Sequence, residues 1–79
     1  MRYTAHCEQM LSERGIHREW AERTLLAPDR TEDRPDGTRH YIKQIPEHGG
    51  RWLRLVISGA DGSPTCVTAF FDRRLRKTR

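Results

Sequence analysis

Residues 51–58, RWLRLVIS, follow the two-residue period of a β-strand: Leu53, Leu55 and Ile57 fall on one face, Trp52, Arg54 and Val56 on the other. One face is wholly apolar and needs a cover; the other pairs an indole with a guanidinium. Downstream, GADGSP (59–64) is a turn rich in glycine, aspartate and proline, and PTCVTAFFD (64–72) reads as a buried final strand. Upstream, TRHYIKQI (38–45) has the β-branched and aromatic content of a strand and leads into an EHGG turn (47–50). DRTEDRPDG (29–37) is polar and mixed in charge, with a Pro-Asp-Gly turn at 35–37, so it predicts at most a short edge strand near 30–33.

The cover is helical. Thr4 is placed to cap a helix over AHCEQMLSER (5–14), and Gly15 to close it as a left-handed residue. Tyr3, Cys7, Met10, Leu11 and Arg14 recur at helical spacing, giving a narrow apolar stripe with Arg14 at its rim. A second helix, REWAERTLLA (18–27), is stopped by Pro28 and carries the stripe Trp20, Ala21, Thr24 and Leu25. The short connection predicts an antiparallel helical hairpin. The expected fold is α+β, with two N-terminal helices packed on one face of a three- to four-stranded antiparallel sheet. Residues 1–79 form one domain, with a basic tail at 73–79.

With 79 residues, 34% hydrophobic and 33% charged, the core is thin, and a deep cofactor pocket beside a separate substrate domain is excluded. That weighs against most enzyme classes. Apolar runs such as LVI (55–57) are far too short to span a bilayer, and MRYTAHCEQM lacks the apolar centre of a signal peptide. A soluble, cytoplasmic protein without a membrane partner is expected. Cys7 and Cys66 form no C-x-x-C pair, so neither zinc nor a disulfide framework is indicated; two buried free thiols are expected, with a single bridge as the alternative. No metal or cofactor is predicted. Residues 1–71 hold ten Lys/Arg and ten Asp/Glu, so the whole net charge of +4 comes from 72–79. A basic end on a neutral body suits an acidic partner.

HCEQMLSERGI (6–16), with His6, Met10, Arg14, Gly15 and Ile16, resembles the opening of domain-of-unknown-function family 4258. The G-x-R-x-Y of Gly37, Arg39 and Tyr41 matches too, as do RLVI (54–57) and VTAFF (67–71), and the ordered set covers nearly the whole chain. That family is similar to the RelE and BrnT toxins of bacterial toxin–antitoxin pairs. The resemblance implies a RelE/BrnT-like sheet with helices on one face and an RNA-handling concave face on the other. It also implies RNA or the ribosome as target, and an antitoxin as protein partner.

Metal-independent RNA cleavage needs proton-transfer groups near neutral pKa and guanidinium forks for the phosphate. His6, supported by the resemblance, and His40 are the proton-transfer candidates, with Arg54 the preferred phosphate ligand and Arg51 and Arg39 beside it. Further RNA contacts are expected from Arg14, Tyr41, Trp52, Thr68, Arg73, Arg74, Arg76 and Lys77. Alternation sets His40 opposite to Arg39 and Tyr41, so those three cannot share a face. Each candidate also has a plain reading: His6 bonded to a strand carbonyl, Trp52 covering a thin sheet, Thr68 packing on the face of Cys66, the tail solvated. His17 and His48 are expected to be ordinary surface. The working expectation is a metal-independent endoribonuclease toxin; the rival is a non-catalytic module of the same fold that binds nucleic acid or protein.

Overall fold

The computed structural model describes residues 1–75. It contains strand β1 (Arg2–Tyr3), helices α1 (Ala5–Glu13) and α2 (Arg18–Leu26), then strands β2 (Arg30–Asp33), β3 (Arg39–Ile45), β4 (Arg51–Ser58) and β5 (Thr65–Phe71). A 3-10 turn, Pro46–His48, links β3 to β4. The sheet order is β1-β5-β4-β3-β2.

α1 starts where its cap is written. The Thr4 hydroxyl accepts the Cys7 N–H at 3.0 Å and donates to the Val67 carbonyl at 3.2 Å, so one side chain both caps the helix and ties it to β5. At the other end Gly15 has φ +63°, its N–H reaches the Ser12 carbonyl, and the Ile16 N–H reaches the Leu11 carbonyl at 2.9 Å. That pairing is a Schellman motif, and the accompanying apolar contact is Ile16 against Leu11, both in the core. α2 ends before Pro28 and buries Trp20, Ala21 and Thr24.

Leu53, Leu55 and Ile57 are wholly buried beneath the helices, with Cys7, Leu11, Ile16, Trp20, Ala21, Ile45, Cys66 and Ala69. Each large aliphatic side chain there contributes about 1.5–3 kcal/mol by leaving water. Cys7 and Cys66 are free thiols in contact, Sγ to Sγ 3.1 Å, and burial pushes both up from the ordinary thiol range.

Three expectations are corrected. The sheet has five strands and is mixed, because Arg2 and Tyr3 pair in parallel with Thr65 and Cys66. Two residues are too few to show a period, so β1 leaves no alternation to read. The helices form no hairpin seam: α1 lies over β5, α2 over β3 and β4, and an Arg18–Glu8 ion pair bridges them. Third, β5 is irregular. Val56 pairs with Thr68 but Ile57 with Cys66, so Val67 is an extra residue in the ladder. That bulge sends Cys66 into the helical core and Thr68 to the other face, beside Val56.

Candidate functional site

The sheet face away from the helices is closed over at its centre. Arg54 and Asp72 are each only 5% exposed, and Ile42, paired with Arg54, is fully buried. The Arg54 guanidinium holds Asp72 Oδ2 through Nε and Nη2, both at 2.9 Å, and Nη1 reaches Glu32 Oε1 at 3.0 Å and His40 Nδ1 at 2.8 Å. Register brings these together: Glu32 pairs with His40, and His40 with Val56, the same-face neighbour of Arg54. Arg74 adds Nε and Nη2 bonds to Asp72 at 3.1 and 3.2 Å, and its N–H a third at 3.0 Å. Arg30 and Arg34 approach Glu32 at 3.5 and 3.1 Å.

The electrostatics follow from these contacts. Arg74, then Arg54, holds the Asp72 carboxyl at about 2, against the cost of burial. The Arg54 hydrogen bond likewise lowers Glu32. Burial first, and then the Arg54 charge, lowers His40. A guanidinium only donates, so His40 Nδ1 must accept and its proton sits on Nε2. In that tautomer the half-buried imidazole carries its one N–H on Nε2 and keeps its lone pair turned to Arg54. It cannot abstract a proton from a bound hydroxyl without first giving up Arg54.

Arginines without a carboxylate partner among the described residues lie elsewhere, Arg14 among them, whose Nε donates to Met10 Sδ at 3.4 Å. A cleft of about 440 Å³ opens at the sheet end where β4 begins and β5 finishes. Arg14 enters it from the C-cap of α1, Arg51 and Trp52 from the start of β4, and Arg73 from just beyond β5. Among the described residues, no carboxylate pairs with Arg14, Arg51 or Arg73. The wall is aromatic: His48 stacks on Phe71 with centroids 4.6 Å apart, and Trp20 meets both rings at 5.3 and 6.3 Å. His17 stacks on Trp20 at 4.3 Å, so the four rings form one run of contacts. Gly49 and Gly50, at φ +68° and +73°, make the turn that delivers His48 and Arg51 to this end. On the other rim the Asp72 N–H bonds the Trp52 carbonyl at 2.8 Å, and the Leu75 N–H bonds the Asp72 carbonyl at 3.2 Å. The chain thereby turns as it leaves the sheet, which sets Arg73 and Leu75 over the cleft.

A family model described as a domain of unknown function, DUF4258, matches residues 3–71. The chain belongs to this family. No curated protein and no solved structure matches it. In this DUF4258 domain the match takes in Arg14, His48, Arg51, Trp52 and Phe71 and ends one residue before Asp72, so the aromatic wall and two of the three cleft arginines lie within the shared region.

The residues singled out from sequence separate into groups. Arg14, Arg51, Trp52 and Arg73 come together in the cleft. Arg54 and His40 meet, but in the buried network, and Arg74 joins them through Asp72. His6 is exposed on α1, the helix on the opposite face, so no single site holds it with Arg54. Arg39 and Tyr41 pair with Ile57 and Leu55 on the helical side; Arg39 is bound to Asp33 at 2.6 Å, and Tyr41 packs against the core. Thr68 is half-buried next to Val56. Arg76 and Lys77 lie outside the described residues. Sequence reading passed over Glu32, Asp72, Phe71 and His48. His48 is half-buried in the cleft wall and not plain surface, whereas His17 is exposed, as expected, with its ring stacked on Trp20. Among the described residues no helix is long and apolar enough to cross a membrane.

Proposed function

We propose that this domain binds single-stranded RNA through the cleft at the end of β4 and β5, as a binding module rather than a nuclease. One observation carries the reading: Arg14, Arg51 and Arg73, none with a carboxylate partner among the described residues, line the same cleft as Trp52 and the His48–Phe71 stack. Guanidinium groups supply phosphate contacts, and aromatic faces take unstacked bases whatever their identity. The likeness to RelE and BrnT toxins read from the sequence supports RNA as the polymer, an antitoxin as protein partner and a cytoplasmic setting. Cleavage is the weaker reading because His40 keeps its lone pair on Arg54, and Arg54 is occupied by two carboxylates.

Fluorescence anisotropy with a labelled single-stranded RNA tests this, alongside a gel of the same RNA after incubation. The expected result is saturable binding to intact RNA, weakened at least tenfold in an Arg51→Ala/Arg73→Ala double variant. Failure of the wild-type protein to bind overturns the proposal, as does unchanged binding by the double variant. Fragmentation of the RNA that is abolished by His40→Ala returns the domain to the nuclease reading.

A further inference from the structure

We infer that the cleft is a pocket for a phosphate monoester, the phosphorylated end of an RNA or a free mononucleotide, and not a groove along which internal phosphodiesters run. The inference rests on the RNA-binding reading for the polymer, but its chemistry comes from how charge is distributed. Across the sheet face beside the cleft the cations are already spent: Arg54 and Arg74 on Asp72, and Arg54, Arg30 and Arg34 on Glu32. A strand crossing that face would meet no available guanidinium at its centre. Around the rim of the domain Arg18, Arg23 and Arg39 are likewise paired, with Glu8, Glu47 and Asp33.

Of the arginines left without a carboxylate partner among the described residues, Arg2 stands apart in β1 and the other three are together. Arg14, Arg51 and Arg73 stand around one opening of about 440 Å³, in the lower part of the range of pockets that enclose a single small ligand. The one carboxylate in its lining, Asp72, is bound to Arg54 and Arg74. An internal diester carries one negative charge and offers two free oxygens. A monoester carries close to two charges at neutral pH (its second pKa is about 6) and offers three strong acceptor oxygens. Three guanidinium groups match the second ligand in charge and in acceptor count. The attached base has its platform in the same opening, on the His48–Phe71 stack. A chain that ends in the pocket needs no second exit.

The test compares one RNA sequence with a 5′-phosphate, with a 3′-phosphate and with hydroxyls at both ends, and uses adenosine 5′-monophosphate as competitor. Wild type, Arg51→Ala, Arg73→Ala and the control Arg34→Ala, whose side chain lies outside the cleft, are measured at low salt. One phosphorylated end is expected to bind about tenfold tighter than the hydroxyl RNA. That advantage disappears in Arg51→Ala and Arg73→Ala and persists in Arg34→Ala. Competition by the mononucleotide at a similar concentration identifies free nucleotide as the source of the ligand; competition only at far higher concentration identifies the RNA end. Equal binding of all three RNAs that still weakens in Arg51→Ala overturns the monoester pocket and leaves the RNA-binding reading standing. Binding of the mononucleotide with none of the RNAs keeps the pocket and overturns the RNA reading. No binding of any probe overturns both.

Discussion

Arg54 is a cation in an apolar sheet, 5% exposed, and its partners determine what it can do. Removing it leaves Asp72 without one of its two arginines and Glu32 without its closest one, so Arg54→Ala is expected to cost about 3–5 kcal/mol, read as a fall in the urea midpoint. A loss under 1 kcal/mol would mean that the network does not hold the fold. Acid attacks the same network. Asp72 is depressed to about 2, so its contribution is complete above about pH 4 and is lost as pH falls through 2; Glu32, also lowered, moves with it. His40 is lowered too, so the unfolded chain takes up the proton first, and its contribution fades as pH falls below about 6.5. Stability measured by urea is therefore expected to decline from pH 7 to 5 in wild type and to decline less in His40→Gln. Identical slopes for the two proteins would remove His40 from the account. From sequence, Arg54 was legible as a mid-strand arginine on the non-helical face, but its occupancy was not. Its carboxylates lie 22 residues before it and 18 after, and only strand register brings them near.

The ends of α1 show why some elements read directly from the chain. Thr4 and Gly15 act through bonds within the first and last turns, so their residue types announce them. Thr4→Ala is expected to cost about 1–2 kcal/mol, toward the upper end for a cap because the lost hydroxyl also leaves the Val67 carbonyl without its bond. Gly15→Ala is expected to cost about 1 kcal/mol, since φ +63° is strained for any residue with a Cβ although open space surrounds the position. Thermal unfolding of the two single variants checks both, and an unaffected Thr4→Ala would deny the link from helix to sheet. The elements that escaped sequence reading are the ones fixed from a distance. β1 exists because Arg2 and Tyr3 find Thr65 and Cys66 more than sixty residues away, and the bulge at Val67 because the pairing of β5 with β4 slips by one. A strict alternation would have set Cys66 beside Thr68; the slip puts one in the core and the other on the outer face.

At the scale of the molecule, folding redistributes charge that looks simple along the chain. By count the body is neutral and the tail basic, which points to the tail as the device for an acidic partner. The fold instead holds most of the body's acids in ion pairs and leaves Arg14 and Arg51, 37 positions apart, to stand with Arg73 beside an aromatic wall. The two accounts differ in salt dependence. Each phosphate neutralised on a single strand releases counterions and adds about −0.7 to the slope of log K against log salt. A chain ending at Leu75 keeps all three cleft arginines and discards Arg76, Lys77 and Arg79. If the cleft carries the RNA by one terminal phosphate of close to two charges, this shortened protein retains a slope of about −0.7 to −1.4, and Arg51→Ala within it weakens binding at every salt concentration. If the tail carries the RNA, the shortened protein shows almost no slope, and Arg51→Ala changes nothing. Binding isotherms at four or five salt concentrations separate the two, because the truncation removes only the cations that follow Leu75.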